Sequence, residues 1–189
     1  MSSQAIEFPV PLVGFAAFSG TGKTTLLLEL LPLLKGAGLR IAVVKHAHHS
    51  FEMDQPGKDS YRLRSAGADE MLVAAKCRIG WVRECPEHAE EPGLAEVLSV
   101  LDPGRLDLVL VEGFKAERFP KIELHRPGMG RPLLFPKDPS IVAIATDEGE
   151  LACDPGDLPR LSLNDPVAIA RFILQLIGRD ERLKPDVAC

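Results

Sequence analysis

Residues 17–24 of the chain read Ala17-Phe18-Ser19-Gly20-Thr21-Gly22-Lys23-Thr24. This stretch matches the pattern of a phosphate-binding loop, with alanine in place of the first glycine. An apolar run precedes it at 10–17, and a leucine-rich segment follows it at 24–35 and ends in a glycine-rich stop. Strand, loop and helix therefore follow one another in the order that such a loop requires.

The residue types of the loop suit the binding of a polyphosphate. Its glycines allow backbone conformations with positive φ, in which successive N–H groups converge on phosphate oxygens. A helix that begins near Lys23 adds the positive end of its dipole. We expect Lys23 to bridge the β- and γ-phosphates and the Thr24 hydroxyl to bind Mg²⁺. The predicted nucleotide-binding residues are Ser19, Gly20, Thr21, Gly22, Lys23, Thr24 and Thr25.

Strand and helix patterns alternate along most of the chain. Pro32 predicts a kink or an early end of the first helix near Leu31. Strands are predicted at 39–44, 106–111, 122–125 and 141–145, a hairpin at 69–75 and 79–84, and further helices at 58–66, 93–101 and 166–177. The pattern indicates an α/β P-loop NTPase fold, in which helices flank a mostly parallel, mixed sheet and a β-hairpin forms an extension at about 69–85.

The predicted domain organisation is a single P-loop NTPase domain at 1–178 with a loose C-terminal tail at 179–189. A net charge of −5 argues against nucleic acid or an anionic membrane as a partner. No apolar run is long enough to span a membrane, and four scattered cysteines suit a reducing compartment, so we expect a cytoplasmic protein. The spacing of Cys85 and His88 allows zinc, but no second ligand pair accompanies it.

Glu112 follows directly after the buried strand predicted at 106–111. Phosphoryl-transfer sites place a carboxylate near the metal, at the end of a neighbouring strand. A charge in this position is costly if it is buried and unpaired, so a metal-bound water or a lysine partner would explain it; a solvated charge is the alternative. We expect Thr24 and Glu112 at Mg²⁺, with Lys23 and Glu112 as the catalytic candidates.

A polar cluster follows the second predicted strand. In an open α/β sheet it lies at the same edge as the phosphate loop, where it could reach a γ-phosphate, a metal or a second anionic ligand. Its three histidines allow metal binding, although histidines in loops are often only polar surface. The cluster comprises Lys45, His46, His48, His49, Asp54, Lys58 and Asp59.

Taken together, these segments resemble the MobB family of molybdopterin-guanine dinucleotide biosynthesis adaptor proteins. The resemblance covers about 12–125 and continues weakly through 143–147. It is carried by the phosphate loop at 18–26, the Lys-His-Ala-His-His and Asp-Gln-Pro-Gly-Lys-Asp-Ser segments at 45–49 and 54–60, and the segments at 64–68 and 110–115. The combination is far more restrictive than the phosphate loop alone.

The resemblance implies a GTP-binding homodimer that assists a MobA-type guanylyltransferase in attaching GMP to molybdopterin, with weak GTPase activity at most. GTP and Mg²⁺ would be its ligands, and molybdopterin its second ligand. The residues that would line the adjoining cleft are His46, His49, Asp54, Lys58 and Asp59. Asp147 lies where related GTPases read the base, but the Asn-Lys-x-Asp pattern is absent, so guanine preference comes from the resemblance alone. The segments 85–93 and 126–139 receive no role.

Two other functions remain open at this stage. In a small P-loop kinase, Asp54 or Asp59 would orient an acceptor hydroxyl, and the loop at 126–131 is the candidate for an arginine-bearing lid. In a metal-insertion GTPase, the histidines at 46, 48 and 49 would hold nickel or zinc at a dimer interface. The hairpin, whose edge could pair with another subunit, predicts dimerisation.

Overall fold

The structure, a computed structural model, describes residues 5–47, 51, 53–85, 91–147 and 149–179. The elements in chain order are β1 (Leu12–Ala16), α1 (Lys23–Gly36), β2 (Ile41–Lys45), α2 (Asp59–Ser65), β3 (Glu70–Ala75), β4 (Arg78–Arg83), α3 (Leu94–Leu98), β5 (Leu108–Glu112), β6 (Lys121–His125), β7 (Ile141–Thr146), β8 (Arg160–Ser162) and α4 (Pro166–Leu176). Short 3₁₀ turns lie at Pro103–Arg105 and Pro127–Met129.

The chain divides into two compact units. The first unit comprises 1–46 and 93–189, and the second comprises 47–92. The single domain proposed at 1–178 stays a prediction, and residues 180–189 of the predicted tail lie outside the described part of the chain.

The first unit contains a six-stranded sheet in the order β2-β5-β1-β6-β7-β8, and all its described strand pairs are parallel. This arrangement confirms the predicted α/β fold class. The expected mixing is not observed in the described strands, because β3 and β4 pair with each other as a separate antiparallel sheet in the second unit. A two-residue turn joins them, and a connection this short permits only antiparallel pairing of the two strands that it joins.

Both faces of the large sheet are covered. On one face, Leu30 of α1 and Ile173 of α4 pack into a buried cluster with Phe15 of β1. On the other face, Leu98 of α3 packs with Val109 of β5. Each such side chain contributes about 1.5–3 kcal/mol through burial.

Helix α1 continues through Pro32 to Gly36. Of the two outcomes expected near Leu31, a kink or an early end, the early end was wrong. Proline removes the N–H that would donate to the carbonyl of Leu28. Leu28 and Pro32 both lie on the exposed side of the helix, where water can satisfy that carbonyl. The buried side is anchored by Leu26, Leu27, Leu30 and Leu34.

The parallel arrangement brings five chain segments to one edge of the sheet. The carboxyl ends of β1, β2, β5, β6 and β7 lead into the phosphate loop, His46, Gly113, Arg126 and Asp147, respectively. Phe15 of β1 and Lys45 of β2 are both register partners of Glu112 at the end of β5. Ligands of open α/β sheets bind at this edge.

Candidate nucleotide-binding site

The loop between β1 and α1 has the backbone of a phosphate cradle. Gly20 and Gly22 have φ values of 83° and 104°, a region that glycine adopts without steric cost. The first helical hydrogen bond of α1 joins the Leu26 N–H to the Gly22 carbonyl at 2.9 Å, and no side chain caps the helix. The N–H groups that precede this bond therefore have no acceptor within the helix; they belong to Lys23, Thr24 and Thr25.

Side chains of the loop satisfy its own carbonyl groups. The buried Thr21 donates its hydroxyl to the Phe18 carbonyl at 2.9 Å. The Lys23 ammonium donates to the carbonyls of Ala17 and Phe18 at 3.3 and 3.1 Å. These carbonyl groups are thereby occupied, while the N–H groups at the start of α1 are left for an anion.

Several cations surround Lys23. Burial lowers the pKa of the Lys23 ammonium, nearby Lys115 and Lys45 lower it further, and Glu112 opposes them. A bound polyanion would favour the charged form of this lysine. The edge of the sheet therefore attracts anions although the whole chain carries a net charge of −5.

Glu112 is mostly buried, with 13% of its side chain exposed, and its carboxylate lies 3.4 Å from the Lys45 ammonium. Lys45 is thus the partner of Glu112. A lysine partner was one of the two explanations offered for a buried charge at this position, the other being a metal-bound water. A solvated charge at a strand end does not fit this degree of burial. Carboxylate and hydroxyl oxygens are ligands that Mg²⁺ prefers, so Glu112 and Thr24 are chemically suited to the ion.

His46 is held where β2 leaves the sheet. Its backbone N–H donates to the Glu112 carbonyl at 2.8 Å, and its ring stacks on Phe114 with 4.6 Å between centroids. A β-carbon at Gly113 would lie 2.5 Å from the His46 β-carbon, so this stacking requires glycine there. Among the described residues, no three His, Cys, Asp or Glu side chains are grouped as a metal site.

The other residues predicted for the cleft are not brought to this edge by the first unit. Asp54, Lys58 and Asp59 belong to the second unit, where Asp54 accepts from the Ser60 hydroxyl at 3.0 Å and α2 begins at Asp59. His48 and His49 lie outside the described residues, as does His88 of the considered zinc pair. The assignment of these residues to the cleft stays a prediction.

Two arginines beside the phosphate loop were missed as site residues. Arg126 donates from Nε to the Thr21 carbonyl at 3.0 Å and from Nη1 to Asp147 at 2.8 Å. Arg131 lies 5.7 Å from the Phe18 ring centroid, and Lys115 lies 5.5 Å from the same centroid. The sequence marked the arginines only as a possible lid, because no local pattern predicts where an irregular loop places its side chains.

The parallel sheet, the loop after β1 and the lysine and threonine at the start of α1 define a P-loop nucleotide-binding protein. The sequence profile of MobB, described as molybdopterin guanine dinucleotide synthesis protein B, matches residues 12–147. The chain therefore belongs to the MobB family, as the resemblance predicted. Its role accordingly lies in molybdenum cofactor biosynthesis.

Relatives and solved structures agree with this assignment. The molybdopterin-guanine dinucleotide biosynthesis adapter protein of Escherichia coli is 44% identical over 88% of this chain and 93% of its own length. The adapter protein of Haemophilus influenzae is 42% identical over 73% of this chain and 75% of its own length. The crystal structure of Bacillus subtilis MobB superimposes with a TM-score of 0.68 and 26% identity over 93% of this chain and 99% of its own.

Proposed function

We propose that this protein is a GTP-binding adaptor that assists a MobA-type guanylyltransferase in attaching GMP to molybdopterin. The observation that carries the proposal is the phosphate loop: free N–H groups at the start of α1, with Lys23 and further cations around them. Ser19 and Thr25 complete the predicted phosphate contacts. A loop of this kind binds the β- and γ-phosphates of a nucleoside triphosphate.

Thr24 and Glu112 would hold Mg²⁺, which neutralises charge on the β- and γ-phosphates. Lys23 would contact the same phosphates. The Glu112 carboxylate is occupied by the Lys45 ammonium at 3.4 Å, and we propose weak hydrolysis at most. Lys23 and Glu112 remain the catalytic candidates for that slow reaction.

Asp147 supports a preference for guanine. Its Oδ1 atom is buried and has no hydrogen-bond partner among the described residues. Asp147 follows β7 and lies beside the phosphate loop, because the Arg126 guanidinium that pairs with its carboxylate also donates to the Thr21 carbonyl. A carboxylate accepts hydrogen bonds only, and guanine offers an amino donor that adenine lacks at that position.

The second ligand is proposed to be molybdopterin, with His46 as its candidate contact in the first unit. His49, Asp54, Lys58 and Asp59 stay candidates predicted from the sequence. The described thiols of Cys77, Cys85 and Cys153 are free and exposed. Free thiols and a nucleotide ligand suit the cytoplasm, where we place the protein. No helix in the described part of the chain has the length and hydrophobicity to cross a bilayer.

We also propose a homodimer formed through the hairpin of the second unit. The register of β3 and β4 places Leu72 opposite Trp81 and Ala74 opposite Ile79, so these four side chains share one face. Leu72 and Ile79 are 62% and 69% exposed. A second copy of the chain, presenting the same apolar face, would remove this surface from water.

Competition between GTP and ATP, with Mg²⁺ and with or without molybdopterin, tests the proposal. We expect GTP to bind at least about 10-fold more tightly, the size of one good hydrogen-bond discrimination. Equal affinity for ATP would overturn the guanine assignment, and failure to bind any triphosphate would overturn the whole proposal. Rapid phosphorylation of small hydroxyl acceptors would identify a kinase. Tight metal binding without nucleotide would identify a metal-insertion GTPase.

A further inference from the structure

The phosphate loop works only if its peptide groups face the right way. In a trans peptide the carbonyl and the following N–H point in opposite directions. The Thr21 carbonyl and the Gly22 N–H belong to one such peptide. Since Arg126 donates to the Thr21 carbonyl at 3.0 Å, it holds that oxygen on its own side and directs the Gly22 N–H to the other.

We propose that Arg126 is a positioning residue of the phosphate loop, which fixes the peptide between Thr21 and Gly22 with its N–H toward the phosphates. The inference rests on the proposed function in so far as the loop is taken to bind phosphate. It assigns Arg126 an indirect role, through the backbone, rather than a contact with the ligand.

Arg126 is itself held in a defined orientation. Its Nη1 pairs with Asp147 at 2.8 Å while its Nε donates to the loop, and two bonds from one planar guanidinium fix the plane of the group. A β-carbon at Gly22 would lie 3.7 Å from Nη2, so the guanidinium lies directly against the peptide that it orients.

The loop that begins at Arg126 is anchored to the sheet by charged groups. Along β6, Ile122 and Leu124 belong to the main apolar cluster, whereas the alternate residues Lys121, Glu123 and His125 are buried polar side chains. The two carboxylate oxygens of Glu123 accept the N–H groups of Leu134 and Phe135 at 2.7 and 2.8 Å. Burial raises the pKa of Glu123, against the effect of these hydrogen bonds.

Lys121 anchors the far end of the same loop. Its ammonium donates to Asp138 at 2.9 Å and to the Ser140 hydroxyl at 3.0 Å. Its side chain passes over β1, where a β-carbon at Gly14 would lie 3.0 Å from the Lys121 γ-carbon. Buried charges are costly unless they are bonded in this way, and here their bonds fix the loop that presents Arg126.

The test is calorimetric titration of the full chain with magnesium tripolyphosphate, GTP and GDP. We expect Arg126→Gln to weaken the binding of tripolyphosphate by a factor of about 10, the effect of losing one charged hydrogen bond. Binding of GTP and GDP should weaken at least as much, because Asp147 also loses its partner. Arg126→Lys should lose nearly as much, because an ammonium cannot reproduce the directed Nε bond. Arg171→Gln, an equal change of charge on the exposed side of α4, is the matched control and should bind all three ligands normally.

A second readout uses the ligand-free protein. The Gly22 amide should shift and exchange faster in Arg126→Gln, with the change confined to residues near the phosphate loop. Three results would each overturn the inference. Arg126→Lys could bind the ligands with wild-type affinity, Arg126→Gln could weaken the binding of GTP but not of tripolyphosphate, or the Gly22 amide could be unchanged. If the wild-type chain binds no polyphosphate, the proposed function fails, whereas the amide measurement still decides whether Arg126 orients the peptide. Should Arg126→Gln not fold, both readouts are made on Arg126→Lys.

Discussion

The two units of this chain differ in how they bury apolar side chains. In the first unit, side chains such as Leu30 and Val109 are fully buried, in two clusters on either face of the sheet. In the second unit, none of the described residues is buried, and Leu72 and Ile79 of the hairpin are mostly exposed. Because burial of apolar surface is the main driving force of folding, only the first unit has a core of its own.

Polar contacts hold the second unit instead. Arg64 pairs with Glu84, and Arg83 pairs with Glu70 at 2.8 Å while it also lies over the Trp81 ring at 4.9 Å. The pair of Arg83 with Glu70 is exposed, and such pairs contribute about 0–1 kcal/mol each. An isolated two-stranded hairpin is marginal. We infer that the first unit carries nucleotide binding and that the hairpin of the second unit serves assembly, where a partner supplies the missing apolar contacts.

The largest expected effect tests the core of the first unit. Leu30→Ala should lower the free energy of unfolding by about 3 kcal/mol, since it opens a cavity where the side chain is fully buried. Leu28→Ala is the control on the same helix; its side chain is 67% exposed, and we expect a change below about 0.5 kcal/mol. Urea unfolding followed by circular dichroism measures both, and similar losses for the two variants would contradict the described packing.

The next effect separates ligand binding from assembly. Lys23→Ala should weaken GTP binding by about 100-fold, or about 2.7 kcal/mol, because charged hydrogen bonds to the phosphates are lost. Sedimentation of the variant should match the wild type, since Lys23 lies in the first unit. Lys35→Ala, at the exposed end of α1, provides the control. A change of oligomeric state in Lys23→Ala would show that the two units do not divide these tasks.

The reverse experiment changes the hairpin. Leu72→Asp combined with Ile79→Asp should raise the dimer dissociation constant at least about 10-fold, because it would bury two carboxylates in an apolar contact. GTP affinity should stay unchanged. Val73→Asp, on the opposite face of the same strand, is the matched control. Analytical ultracentrifugation measures the dimer dissociation constants. The proposed dimer is overturned if the wild-type chain is already monomeric at micromolar concentration.

The smallest effect concerns the anchor of the loop after β6. Burial acts to raise the pKa of Asp138, but hydrogen bonds from Ser140 and Lys121 outweigh it and leave the pKa below its usual value. The stability contributed by Asp138 is therefore present above the unfolded pKa, near 4, and is lost as the pH falls further. Asp138→Asn should cost about 1 kcal/mol at pH 7 and less at pH 3.

Urea unfolding at pH 7, 5 and 3 measures this difference. Glu123 titrates with the opposite sign, because its raised pKa reduces its contribution as the pH rises past about 4.5. Burial is the main cause of that raised pKa and the charge of Asp138 is the smallest, so most of this contribution is common to both proteins. A cost of Asp138→Asn that does not vary with pH would mean that the ion pair with Lys121 is not the source of its stability.

Elements with a local signal were predicted well. The apolar run before the phosphate loop and the leucine-rich helix after it appear as β1 and α1, and the hairpin appears as β3 and β4. The helix predicted at 93–101 is only Leu94–Leu98, and the three-residue β8 was not predicted at all. Elements this short carry too few residues to show a period, so their existence depends on the neighbouring strands.

The phosphate loop could be identified from residue order alone, because its glycines, lysine and threonine act through a few consecutive peptide groups. The contact between Arg126 and Thr21 spans 105 positions and follows from the strand order that places β6 beside β1 and β7. The buried charged residues of β6 likewise find hydrogen-bond partners in the loop that folds over them. Interactions between distant segments depend on which strands become neighbours, and no local pattern encodes that choice.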